Sequence, residues 1–198
     1  VIEAWQAHAV ADHVSDGEAA MAEPLSVALH AVRRAGSLAG AKVLVTGCGP
    51  IGSLCVLAAR WAGAAEVVAT DITDQTLARA RLVGADHTIN TATTPEGLDA
   101  YKANKGHFDV LIEASGNAKA LVAAFEVLRP RGVIVQVGTG GDTTIPMNVL
   151  VAKEFEWRGT FRFHEEFALA VALMNQRRVD VKPLISHSLP HTEFAKAF

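Results

Sequence analysis

Lys42-Val43-Leu44-Val45-Thr46-Gly47-Cys48-Gly49-Pro50-Ile51-Gly52 decides the fold of this chain. Val43, Leu44 and Val45 make a short apolar run, which predicts a buried strand. Residues 51–62, rich in Leu, Val and Ala, predict an apolar helix. Downstream, Glu66-Val67-Val68-Ala69-Thr70 predicts a second strand, and Asp71 ends it nineteen positions after Gly52. Three glycines spaced Gly-x-Gly-x-x-Gly carry little by themselves. Between a strand and a helix, with an acid closing the next strand, they form a dinucleotide-binding fingerprint. A glycine-rich turn without a ligand is the competing reading, and this context argues against it.

Each residue of the loop has a physical task. Gly47 permits a sharp strand-to-helix turn that a Cβ would restrict. Gly49 lets the backbone approach a pyrophosphate, and Gly52 lets the helix pack close to the strand. The unpaired N–H groups of Ile51 and Gly52 then face the phosphates, where the helix dipole also favours negative charge. Pro50 has no N–H to donate, but its fixed φ suits a helix start. Asp71 is placed to accept hydrogen bonds from an adenosine ribose diol and to repel a 2′-phosphate. The pattern points to NAD rather than NADP.

The same rhythm continues outward. Residues 1–15 read as irregular, with a short strand near 1–6, and a helix is expected over 24–34 with Pro24 in its first turn. Thr73 or Asp74 is expected to cap a helix running to Arg81, closed by Gly84. His87-Thr88-Ile89 predicts strand three, and the polar stretch 95–105 predicts a helix. Residues 108–113 predict strand four, followed by Ala114-Ser115-Gly116-Asn117 and a helix to 128. Strands five and six are expected over 132–138 and 155–160, with a helix over 167–176. Alternation of this kind predicts an α/β fold: a doubly wound parallel sheet (Rossmann fold, order 3-2-1-4-5-6) with helices on both faces. Ligands of such sheets sit beyond the carboxyl ends of the strands. That rule nominates Asp71, Ser115, Gly116, Val137, Gly138 and Thr139 beside the glycine loop.

Composition excludes several classes. The 198 residues suffice for one large domain and its core. Half are hydrophobic and 6% aromatic, a balance suited to buried parallel strands under small-residue helices. A formal net charge of −3 leaves no footprint for nucleic acid or an anionic membrane. No apolar run is long enough to span a bilayer, and no signal peptide is expected. Cys48 and Cys55 do not form a CxxC pair, so a disulfide framework is not expected and a reduced, cytoplasmic setting is. The chain begins without Met and stops inside a helical pattern over 192–198, as expected for part of a longer protein.

With these residues in place, the chain resembles the cofactor domain of the zinc-containing medium-chain dehydrogenases, especially their polyol branch. The likeness rests on Ala22-Glu23-Pro24-Leu25-Ser26-Val27 with His30, on the stretch from Lys42 to Gly52, and on Gly159-Thr160-Phe161-Arg162-Phe163. Gly132-Val133-Ile134-Val135-Gln136-Val137-Gly138 followed by Gly140-Gly141 adds to it. The resemblance implies that Ile51 and Asp71 contact the NAD pyrophosphate and adenosine ribose, and that Val137, Gly138 and Thr139 lie along the nicotinamide. It implies that Phe161 and Arg162 close over that ring, and that Glu23 stands beside a catalytic zinc, as a ligand or through its water. Thr76 stands where the sorbitol enzymes often place an Arg beside the adenosine, with Arg79 a substitute.

The resemblance further implies oxidation of a secondary alcohol of a polyol or sugar acid, with zinc promoting the alkoxide that passes hydride to the nicotinamide. The other zinc ligands belong to an N-terminal catalytic domain, and no Gly-His-Glu motif occurs here. By itself the chain is expected to be inactive. The expected division is 1–22 as a remnant of that domain, 23–183 as the NAD-binding domain, and 184–198 as the start of a returning segment. A homodimer or homotetramer is expected through the sheet edge near 142–149, with Pro146 limiting regular pairing there. Alternatives are a sorbitol-, xylitol- or threonine-type dehydrogenase, or a non-catalytic NAD-sensing module. A methyltransferase is a third, but its loop usually reads Gly-x-Gly-x-Gly.

Plainer readings stand beside these. Glu23 suits a helix start through the dipole alone, and Arg162 reads equally as a surface-paired arginine. Ser115-Gly116-Asn117 reads as a turn and helix cap. Pro190 interrupts any helix that would join His187 to His191 at a metal. His164-Glu165-Glu166 reads as a solvated helix start.

Overall fold

The computed structural model describes residues 3–197. Strands β1 (Lys42–Thr46), β2 (Glu66–Asp71), β3 (His87–Asn90), β4 (Phe108–Glu113), β5 (Leu128–Gln136) and β6 (Glu156–Gly159) form one sheet in the order β3-β2-β1-β4-β5-β6. Every neighbouring pair is parallel, as the alternating pattern requires. The helices are α1 (Asp16–Ala20), α2 (Ala22–Ala35), α3 (Pro50–Trp61), α4 (Asp74–Leu82), α5 (Ala118–Val127), α6 (Met147–Ala152), α7 (Glu166–Asn175) and α8 (Phe194–Ala197).

Both sheet faces are covered, which is why the central strands read as continuous apolar runs. Val43 and Val45 of β1, Val67 and Ala69 of β2, and Val110 and Ile112 of β4 face a core built from α2, α3, α4 and α7. The alternate residues Leu44, Val68 and Leu111 face α5 and the ring of Phe155. Small residues let α3 lie close to the sheet: Cys55, Ala58 and Ala59 are fully buried. Phe108 and Phe125 are the largest fully buried side chains; burying each contributes about 1.5–3 kcal/mol.

The register sets the site. Thr46 lies level with Thr70 on one side and Glu113 on the other, and Glu113 with Gln136. Strand order reverses between β1 and β4, so their carboxyl ends flank a crevice.

Several expectations need correction. Ala4–Gln6 is a 3-10 turn rather than a strand, while Val1 and Ile2 lie outside the described residues, as does Phe198. An extra helix, α1, precedes α2, because Ser15 and Glu18 form a capping box. The stretch 95–105 winds as two 3-10 turns, Pro95–Tyr101 and Ala103–Lys105, and Asn104 adopts φ +55° inside the second. Thr73 is the N-cap of α4 by position, yet its side chain caps nothing. β5 begins earlier than expected, at Leu128. Residues 142–146 form no strand within the chain, and Val149 belongs to α6, so the segment expected at the sheet edge is not one of the sheet's strands. The edges are β3 and β6.

Candidate functional site

The crevice is built first by backbone. Gly47 adopts φ +80° and donates its N–H to Thr70 O at 2.8 Å. A Cβ at Gly47 would stand 2.6 Å from the Ser115 Cα, and one at Gly52 would stand 1.7 Å from the Gly47 carbonyl oxygen. Only glycine allows both approaches. At Gly49 the same construction meets nothing within 4 Å. Its bareness therefore serves no contact within the protein, which is what a site for a close-lying ligand requires. Gly49 is the N-cap of α3, with no side chain to cap the helix and Pro50 first in line. The N–H groups of Ile51 and Gly52 thus have no carbonyl partner within their own helix.

Asp71 closes one side. Its Oδ2 accepts the Cys48 N–H at 2.6 Å, and its Oδ1 accepts those of Ile72 and Thr73 at 2.7 and 3.1 Å. One carboxylate thereby fixes the glycine loop to the turn after β2. It lines a cleft of about 570 Å³ shared with Gly47, Gly49, Ile72 and Ser115. Ile72 extends 71% exposed beside it. Burial, with the charge of Asp71 adding to it, pushes the Cys48 thiol up to about 12, and burial does the same to Cys55. Neither is a nucleophile near neutral pH, and the two remain unbridged.

The far side is organised by residues that sequence reasoning did not single out. Glu113, fully buried at the end of β4, accepts the Ser115 N–H at 2.8 Å, the Gly116 N–H at 3.0 Å, the Ser115 hydroxyl and the Gln136 amide. Its main-chain oxygen accepts the N–H groups of Val137 and Gly138, both at 2.8 Å. Gly138 passes so close that a Cβ would stand 2.2 Å from the Gly116 nitrogen. Ser115, Gly116, Val137, Gly138 and Thr139 are thus brought together as nominated. Asn117 also caps α5, its Oδ1 accepting the N–H of Lys119 at 2.9 Å. An acid ending a central strand just before Ser-Gly was the only signal that could have pointed to Glu113.

Phe161 and Arg162 lie in the loop after β6. Phe161 is 75% exposed, and the Arg162 guanidinium sits 5.5 Å from the centre of its ring. No ion pair to Arg162 occurs among the described residues, so the surface-paired reading does not hold. Glu23, in the first turn of α2, is exposed and makes no hydrogen bond or ion pair among them either.

His164-Glu165-Glu166 is not a solvated start. Glu166 is buried and accepts hydrogen bonds from Arg33 and from the His164 N–H, each at 2.8 Å. Burial pushes its carboxyl up, but these bonds outweigh it and hold it down at about 2. His30 packs edge-on against His164, with Nδ1 3.3 Å from Glu166.

A dinucleotide fits the glycine loop, the bare space at Gly49 and the acid at the end of β2. By themselves the described residues form no zinc site: no group of three His, Cys, Asp or Glu side chains that could hold a metal ion occurs among them. Nor is any helix among them long and apolar enough to cross a membrane.

A family described as zinc-binding dehydrogenase matches residues 50–176. The L-idonate 5-dehydrogenase (NAD(P)(+)) of Escherichia coli is 42% identical over 179 residues, covering 90% of this chain and 52% of that protein. The sorbitol dehydrogenase of Bos taurus is 37% identical over 196 residues, covering 94% and 54%. The crystal structure of the Escherichia coli L-idonate 5-dehydrogenase superposes with a TM-score of 0.88 at 40% identity, over 92% of this chain and 53% of that one. An Escherichia coli alcohol dehydrogenase complexed with NADH gives 0.90 at 25% identity, over 99% and 58%. The chain spans about half the length of the curated relatives it matches.

Proposed function

Because this chain belongs to the zinc-binding dehydrogenase family, we propose that it is the NAD-binding part of an oxidoreductase acting on a secondary alcohol of a polyol or sugar acid. One observation carries the reading: the glycine loop and Asp71 are joined by the Cys48 N–H, and they face one cleft. Asp71 accepts hydrogen bonds from the adenosine ribose, where a 2′-phosphate would meet its charge. The N–H groups of Ile51 and Gly52 hold the pyrophosphate at the positive end of α3. Ser115, Val137, Gly138 and Thr139 flank the nicotinamide, with Phe161 and Arg162 closing from the loop after β6. Glu23 contributes from the metal side of the whole enzyme. NAD, when bound, supplies the hydride acceptor; these residues fix where its ring lies and keep water away. The described residues by themselves form no site for zinc. L-idonate is the substrate favoured among the polyols and sugar acids, on the likeness to the enzyme named for it; sorbitol is the second.

Titration of the chain with NAD, NADP and S-adenosylmethionine tests the cofactor. NAD is expected to bind tightest, and tighter binding of NADP or of S-adenosylmethionine refutes the assignment. Assay of the full-length enzyme with L-idonate and sorbitol, read by NADH formation, tests the substrate.

A further inference from the structure

Glu113 has no task in the scheme above, yet it is the most heavily engaged buried acid at the crevice. It is 0% exposed and ends β4 at the point where the strand order reverses. Its Oε1 accepts the N–H groups of Ser115 and Gly116 at 2.8 and 3.0 Å, the Ser115 hydroxyl, and Thr46 Oγ1 at 3.4 Å. Its Oε2 accepts Gln136 Nε2, whose other hydrogen bond goes to Gly138 O at 2.9 Å. The buried Gln136 Oε1 has no partner among the described residues, and both hydrogen bonds of its Nε2 go to this junction. A buried acid normally costs stability unless fully satisfied. Here every donor around it comes from β1, from the turn after β4 or from the end of β5.

We infer that Glu113 is a positioning residue that locks the Ser115-Gly116 turn to the Val137-Gly138-Thr139 segment and so sets the geometry of the nicotinamide half of the cleft. The inference rests on the dinucleotide reading. Glu113→Gln keeps the size of the side chain but turns one acceptor oxygen into an NH2 group. That group opposes the donors of Gly116 or Gln136, and turning the Gln136 amide to match sets its oxygen against Gly138 O. The turn and the segment must then separate, while the glycine loop and Asp71 keep all their bonds.

The test compares two ligands that differ only by the nicotinamide. Calorimetric titration of the chain with NADH and with ADP-ribose should show NADH weakened by about tenfold or more in Glu113→Gln, the equivalent of one lost hydrogen bond to a charged group. ADP-ribose should stay within about twofold. Gln136→Met, which leaves the carboxylate and its bonds to Ser115 and Gly116 intact, should weaken NADH in the same selective way, and it decides the matter if Glu113→Gln does not fold by circular dichroism. Equal loss of both ligands, or loss of neither, overturns the inference while leaving the dinucleotide reading standing. A wild-type chain that binds neither ligand overturns both.

Discussion

Gly49→Ala separates binding from folding at the centre of the site. Gly49 has φ −59°, open to any L residue, and a Cβ built on it meets no heavy atom within 4 Å. The folded chain therefore accepts the methyl without strain. Restricting the unfolded chain should stabilise the fold by about 0.4–1 kcal/mol, a rise in melting temperature of about 1–4 °C for a chain of this size. Binding should move the other way. The methyl occupies the space through which a pyrophosphate reaches the first turn of α3. Moving a phosphate out by about an ångström breaks at least one charge-assisted N–H···O bond, worth about 1.5–3 kcal/mol. At 1.4 kcal/mol per tenfold, the NAD dissociation constant should rise about ten- to hundredfold. Calorimetric titration with NAD and a thermal melt read both quantities from one sample. Gly52→Ala is the contrasting variant, because its Cβ would stand 1.7 Å from the Gly47 oxygen. It should lose binding through destabilisation, by about 1–3 kcal/mol of overpacking. A Gly49→Ala variant that melts at or above wild type and binds NAD with unchanged affinity refutes the phosphate assignment.

Three further outcomes follow from the same contacts. Asp71→Ala should raise the NAD dissociation constant by about tenfold or more, without making NADP tighter than NAD was in wild type. The carboxylate also holds the N–H groups of Cys48, Ile72 and Thr73, so its loss loosens the phosphate loop for either cofactor; parallel titrations check this. Arg33→Met should lower stability at pH 7 by about 1–2 kcal/mol, less than a fully buried pair would lose, since Arg33 is 53% exposed. Glu166 is held down at about 2 from an ordinary 4.5, so its contribution is full above 4.5 and disappears as pH falls through 2. Melts from pH 7 to pH 2 should therefore show the gap between wild type and Arg33→Met closing as the pH falls through that window. Lys153→Met should cost about 1–3 kcal/mol in a denaturant titration. It strips a donor from the carbonyls of Phe125 and Leu128, each 2.7 Å from Nζ.

What was legible in the sequence divides along the distance over which each interaction is made. The glycine loop and Asp71 could be read because a strand, a turn and a helix start are local events, and the next strand returns to their side after a fixed length of chain. Strand order could be read because β–α alternation leaves few ways to wind a parallel sheet. Glu166 was misread for the opposite reason: its neighbours His164 and Glu165 are polar, and the Arg33 that justifies its burial lies 133 positions away. Glu113 was passed over likewise, with donors on β1, 67 positions away, and on β5, 23 positions away. Burial of an acid depends on partners that only the folded sheet assembles, so no local pattern announces it. The segment at 142–149 failed differently. Its residues suit an extended edge, but Pro146 has no N–H for a ladder and instead opens α6 as its N-cap. Motifs therefore point to the candidate cleft, and long-range hydrogen bonds determine how its walls are held. Variants at Glu113 and Gln136 probe that second layer, which Gly49 and Asp71 leave untouched.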